Sequence, residues 1–474
     1  MRRKIIVPLV AFCSLLSVDF VSAAEASGHS LGEELPIWSV IPFVGLLLSI
    51  AIFPLVKPKW WEHNLLYVAL FWSLTFFIPF TIGFGAAESI KELIEIIALD
   101  YLPFIVLLWG LFAVSGGIVL KGDLAGSPKT NVVMLLIGTL LASWVGTTGA
   151  SMLLIRPMLR ANGWRAKKAH VVIFFIFLVS NIGGSLTPVG DPPLFLGFLR
   201  GIPFFWTMRL APILLVNMVL LLSAFFIIDS RLYKKEAAAA NKGGDGHIPV
   251  PLKVEGLHNL IFLALIVGSV ILSGLISTAM GENAGIQIYP EVIMPYGSLA
   301  QMALVIVAGI LSVKTTKKEL HEANFFTWGP IKEVASLFIG IFITMIPALA
   351  ILNVKGAELG LSQPWHFFWV TGALSSFLDN APTYLVFFTT AGSLGATEGL
   401  ATTVGTIAPQ ILLAVSAGAV FMGANTYIGN APNFMVRSIA EENGVKMPSF
   451  FKYMGWSLCF LIPVFFIDML IFFR

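Results

Sequence analysis

Apolar runs of about twenty residues recur along this chain, each the length a helix needs to cross the hydrocarbon core of a bilayer. Such a segment must satisfy its own backbone N–H and C=O groups, because the surrounding lipid cannot. Hydrophobic residues make up 57% of the sequence and charged ones 12%, more apolar surface than a soluble core absorbs. The chain therefore reads as an all-α polytopic membrane protein.

Spans are expected at 37–56, 64–84, 101–120, 169–200, 207–228, 258–278, 297–313, 334–353, 408–440 and 450–472. That makes ten crossings, of which 169–200 and 408–440 are discontinuous. Two further apolar stretches, 131–157 and 366–389, carry Gly or Pro and polar residues midway and read as re-entrant hairpins. On this topology 21 of the 29 Lys and Arg face the cytoplasm and five face outside, the remaining three lying in the N-terminal segment. Counting either hairpin as a crossing would move basic clusters to the outer face.

Residues 1–23 combine Arg2, Arg3 and Lys4, a short apolar stretch and the small-residue pattern Val21-Ser22-Ala23. They read as a secretory signal, or else as an uncleaved first helix; cleavage leaves the mature N-terminus outside. A separate span follows at 37–56. The polar segment 229–257 is expected to be a mobile cytoplasmic linker between two halves, 64–228 and 297–472, with 258–278 as a connecting span. Segment 314–333 suits a helix lying at the cytoplasmic interface. A net charge of +3 without a basic stripe is too small to imply a nucleic-acid partner, and none is expected. The lone Cys13 and Cys459 indicate neither a disulfide framework nor a metal centre, and no cofactor is expected.

The two discontinuous spans share a motif. Thr187, Gly190, Asp191, Pro193 and Phe195 recur with the same spacing as Thr426, Gly429, Asn430, Pro432 and Phe434, 239 residues later. Each copy follows a hairpin, in which Thr148, Gly149, Ala150 and Leu154 are aligned with Asp379, Asn380, Ala381 and Leu385. The loop after the first hairpin is basic and the loop after the second carries no basic residue, so the hairpins open to opposite sides. Two inverted-topology repeats, each with a re-entrant hairpin and a broken helix, are the layout of a secondary transporter with a midplane site.

The break itself has a physical reason. Unwound backbone is tolerated at membrane depth only where it lines a cavity, and there its free polar groups become ligands. Gly183, Gly184, Gly190 and Gly429 permit close approach, while Pro188, Pro192, Pro193 and Pro432 keep the helix from re-forming. A carboxylate in such a gap is costly and points to an ion or proton pathway, which singles out Asp191 and Asp379. Asp191 has an alternative as an N-cap for the second half-helix, a role Asn430 would share. Neutral oxygens for a partly dehydrated cation come from Ser180, Asn181, Ser185, Thr187, Thr147, Thr148, Ser376, Asn380, Asn425, Thr426 and Asn430. For any one of them, helix–helix hydrogen bonding is the competing role. Arg156 reads as a headgroup anchor. Glu88, Glu92 and Glu95 read as a solvated outer face and His366 as interfacial, while Asp229 and Asp468, near span ends, need no special role.

The segments SNIGGSLTPVGDPPLFLGFLRG, SSFLDNAPTYLVF and GANTYIGNAP resemble the ion transporter superfamily, in particular NhaD-type sodium/proton antiporters, with ArsB-like and citrate-transporter-like permeases as relatives. The resemblance spans most of 37–472. It implies a scaffold and a transport domain, a homodimer and an elevator-like or related alternating-access motion in a bacterial-type inner membrane. It also implies Asp191 and Asp379 as ligands of a transported Na+ or Li+ in exchange for H+. The NhaD-type Asp-Asn pair stands only at Asp379-Asn380; the first hairpin has Thr147-Thr148-Gly149 in its place. Two transport readings stay open, a cation/proton antiporter and a Na+- or H+-coupled carrier of di- or tricarboxylates or oxyanions. A membrane protein that does not transport is the third.

Overall fold

A computed structural model describes residues 30–122, 126–240, 253–281 and 284–474, so the expected signal at 1–23 lies outside the described residues. Among them, nine helical segments are long and apolar enough to cross a membrane. α1 (Ile41–Val56) stands ahead of the first half, which holds α2 (Pro58–Phe84), α3 (Ala86–Glu95) and α4 (Leu102–Ser115), the last two joined by a π-helical turn at Ile96–Tyr101. The first hairpin is α5 (Pro128–Val145) and α6 (Thr147–Ala161). The first broken segment is α7 (Ala169–Leu178) and α8 (Pro192–Leu199), and α9 (Ala211–Ala240) follows.

The second half begins after α10 (Asn259–Met280) and consists of α11 (Tyr296–Thr315), α12 (Gly329–Lys355), the hairpin α13 (Pro364–Ser375) and α14 (Asn380–Gly392), the broken pair α15 (Pro409–Met422) and α16 (Ala431–Glu442), and α17 (Phe450–Phe472). Three two-stranded ribbons trim the loops, and one of them pairs β1 (Val119–Lys121) with β2 (Lys253–Glu255). The protein is thus an all-α polytopic membrane protein.

Two boundaries differ from expectation. The long spans number nine rather than ten, because both broken segments fall into the class of shorter apolar helices while α5 alone reaches 18 residues. The expected linker is helical over its first part, since α9 continues to Ala240; alanines and charged residues there favour helix once the span has nucleated it.

Burial separates the elements by task. The faces of α1, α2, α9, α10 and α11 alternate between buried and exposed apolar residues, as lipid-facing helices do. Val171–Leu178 of α7, by contrast, is buried on every side, which puts the broken segment at the centre of the core. Packing around it is reciprocal. The second half-helix of each broken segment lies on the hairpin of the other half, α8 against α14 and α16 against α6.

Candidate functional site

Each helix breaks in the same way. Past Leu178 the chain makes a single 3-10 turn at Ile182–Ser185, and past Met422 a matching turn at Gly423–Asn425, before Pro192-Pro193 and Pro432 open the second half-helices. A proline there loses nothing, because first-turn N–H groups have no helical acceptor. The strands of each gap touch. A Cβ on Gly190 would stand 2.2 Å from Gly184 O, and one on Gly429 2.5 Å from Gly423 O, so only glycine fits either place. Thr187 donates through Oγ1 to the carbonyl of Ser143, and Thr426 donates to that of Ser376 at 2.5 Å, tying each gap to its own hairpin.

Those paired bonds set the correspondence of the hairpins. Ser143 matches Ser376, and Thr147 matches Asn380, each being the first residue of the hairpin's second helix. The sequence alignment of Thr148 with Asp379 is therefore off by two residues. The apolar match of Leu154 with Leu385 favoured a register that the backbone does not use.

Asp191 sits where the halves meet and is 1% exposed. Its backbone (φ −144°, ψ 141°) parallels that of Asn430 (φ −155°, ψ 141°), and neither side chain caps its helix. The N-cap alternative for Asp191 is thus corrected. Its carboxylate turns instead toward three neutral donors: Oδ1 accepts from Thr147 Oγ1 at 2.9 Å and Asn430 Nδ2 at 3.2 Å, and Oδ2 accepts from Asn380 Nδ2 at 2.5 Å. No ion pair reaches it among the described residues. Asp379 is the residue that caps, accepting from Ala381 N at 3.0 Å at the start of α14.

Of the remaining predicted side chains, some extend this network and others tie each gap to its own hairpin. Asn181 donates to Asn433 Oδ1 at 2.7 Å and accepts from Asn430 Nδ2 at 3.2 Å, and the Ser180 hydroxyl pairs with Ser151 at 2.8 Å. Asn425 donates to Ser376 Oγ at 2.9 Å. The Ser185 hydroxyl, Asn380 Oδ1 and Asn425 Oδ1 are buried without a hydrogen-bond partner among the described residues. Sequence reasoning missed Ser143 and Asn433. Asn433 had a signal in the motif itself, since the equivalent position in the first copy is Leu194, and an amide in place of a leucine in a core gap needs a polar neighbour.

A cavity of about 510 Å³ reaches this centre. Thr147, Thr148, Asp191, Asp379 and Asn430 line its floor side, and Glu62, Glu333, Glu442, Phe325 and Arg156 line it elsewhere. Arg156 does not simply anchor the hairpin to headgroups: its guanidinium carbon lies 4.9 Å over the Phe325 ring, and Nη1 is buried without a hydrogen-bond acceptor among the described residues. Two other expectations fail on burial. Asp229 is fully buried and accepts from Arg165, from His170 Nε2 at 2.8 Å and from Asn131 Nδ2 at 2.9 Å, while Asp468 is equally buried against Asn217. Away from the cavity, Arg200 beyond α8 holds Asp100 of the π-helical turn through two bonds of 2.7 and 2.9 Å. Cys459 is free and exposed.

Residues 32–473 match the model of a family described as "Putative citrate transport". No curated protein matches the chain.

Proposed function

The chain belongs to the "Putative citrate transport" family, which makes it a citrate-transporter-like permease, and from that premise we propose that it exchanges sodium or lithium for protons at Asp191. One observation carries this reading: a buried carboxylate held by neutral donors from both halves, with no basic partner among the described residues. An uncompensated charge in such a place is expensive, and either a proton or a small cation removes the cost. Binding of one excludes the other, so Asp191 couples their movements.

The surroundings support a cation. The two N–H groups of Asn430 face three acceptors, Asp191 Oδ1, Asn181 Oδ1 and Ser180 O, and Asn380 Oδ1 lacks a donor. A bound cation uses this surplus of oxygens. Five carboxylates line the cavity against one basic side chain, Arg156. Asp379 contributes charge there while capping α14.

Alternating access follows from the layout. The charge distribution of the loops puts Glu62, Arg156, Phe325, Glu333 and Glu442 toward the cytoplasm, so the cavity opens inward. The opposite side is held shut by the Asp100–Arg200 pair. Movement of the hairpins and broken helices past α1, α2, α4 and α12 carries the site across.

A second reading rests on the family description and on Arg156: a carboxylate substrate entering the cavity finds Nη1 without an acceptor among the described residues, with the coupling ion at Asp191. Purified protein in liposomes that are acid inside, with a lumenal pH dye, separates the two. Alkalinisation on adding Na+ or Li+, but not citrate, succinate or arsenite, supports exchange. Uptake of labelled anion with no response to any cation alone overturns it in favour of the carrier.

A further inference from the structure

Away from the cavity, α9 and α17 are joined by one side-chain hydrogen bond among the described residues. Asn217 donates from Nδ2 to Asp468 Oδ2 at 2.6 Å, and its other N–H goes to the carbonyl of Ile213 at 2.9 Å. Both side chains are 0% exposed. Their helical neighbours Ile213, Leu214, Leu221, Val464 and Phe465 are buried and apolar. Neither residue lines the cavity.

Two oxygens are left over. Asn217 Oδ1 and Asp468 Oδ1 are both buried, and neither has a hydrogen-bond donor among the described residues. Each orphaned acceptor forfeits its hydration on folding, and an ionised carboxylate forfeits far more. Both orphans belong to side chains already in contact, and the missing donor is one hydrogen. A proton on Asp468 Oδ1 turns that acceptor into a donor and gives Asn217 Oδ1 its partner, closing a two-bond acid–amide pair.

We propose that Asp468 and Asn217 form a second proton-binding site, separate from the transport cavity, in which Asp468 holds its proton and staples α9 to α17. The proton comes from solution as the helices pack. The pair is independent of the sodium/proton reading and holds equally in an anion carrier.

Infrared spectroscopy of the full-length protein in lipid, paired with thermal unfolding of the same samples, tests this. The wild type is expected to show a protonated-carboxyl C=O band, sensitive to deuterium exchange, that disappears in Asp468→Asn. That variant is expected to fold, because an amide at 468 again presents a donor and an acceptor to Asn217, with one further N–H to place. In Asn217→Leu the band should move to the position of a carboxyl without a hydrogen bond. Loss of carboxylate absorption rather than a carboxyl band in Asp468→Asn overturns the proposal. So does an Asp468→Asn protein that fails to fold, or a band indifferent to Asn217→Leu. A sodium-dependent rise in unfolding temperature that requires Asp468 would make the ligand a metal cation and overturn it as well.

Discussion

Asn380 donates to Asp191 across 2.5 Å, and the two residues stand 189 positions apart in the sequence. The bond joins the hairpin of the second half to the broken helix of the first, so the site exists only when both halves are assembled. Asp191→Asn keeps the shape and removes the charge. Cation-driven proton exchange is expected to fall by at least about tenfold, the consequence of losing roughly 1.4 kcal/mol or more of ion binding, as read from initial rates in liposomes. Asn380→Leu, which removes one of three donors, is expected to give a smaller loss.

Asp379 caps α14 and, in the exchange proposed here, also contributes charge to the cavity, and its variants separate the two. Asparagine also caps helices, so Asp379→Asn is expected to unfold at the wild-type temperature while KM for the cation rises. Asp379→Ala additionally loses the bond to Ala381 N, a cost of about 1 kcal/mol. Unfolding temperature and KM measured on both proteins check this, and equal stability of the two would refute the capping role.

How much of this could be read from the sequence depended on whether a residue's role was local. Asp191, its glycines and its prolines announced themselves, because a broken apolar helix has no reading other than a lined gap. The duplication was equally plain, since Thr187 and Thr426 keep their spacing to Gly190 and Gly429. The partners of Asp191 were harder to find. Asn380 and Thr147 act through tertiary contact, and the hairpin register slipped by two on an apolar coincidence. Asp229 and Asp468 were given no special role because both stand near span ends, and their burial is a tertiary matter. Asp229 is covered by the loop after the first hairpin, which supplies Arg165, and Asp468 is covered by α9. Helix length misled too: α9 runs on to Ala240 because nothing in its alanine-rich end stops it.

Asp229 compensates Arg165, whose side chain is 0% exposed. Removing one partner of such a pair strands the other charge, at a cost of about 3–5 kcal/mol. Asp229→Ala is therefore expected to lower the midpoint of thermal unfolding sharply or to prevent folding, without altering the cavity. Arg165 Nε also donates to Glu236 at 3.0 Å, so a variant with wild-type stability would show that this second carboxylate satisfies the guanidinium alone.

Asp100 and Arg200 are expected to be coupled energetically, because their two bonds connect the π-helical turn to the end of α8. A double-mutant cycle on Asp100→Asn and Arg200→Gln, read by chemical unfolding, should yield about 0.5–3 kcal/mol of interaction. A cysteine pair at the two positions, once oxidised, is expected to block exchange by preventing the outer side from opening. Undiminished transport by the oxidised pair would remove this contact from the closure.

The proposed competition of sodium and protons at Asp191 has a direct signature in unbuffered detergent solution. Addition of NaCl to the purified protein is expected to release protons, at pH values where Asp191 is loaded with a proton, and the release should vanish in Asp191→Asn while Asp468→Asn retains it. Absence of proton release by the wild type at any pH, or full release by Asp191→Asn, would contradict exchange at this residue.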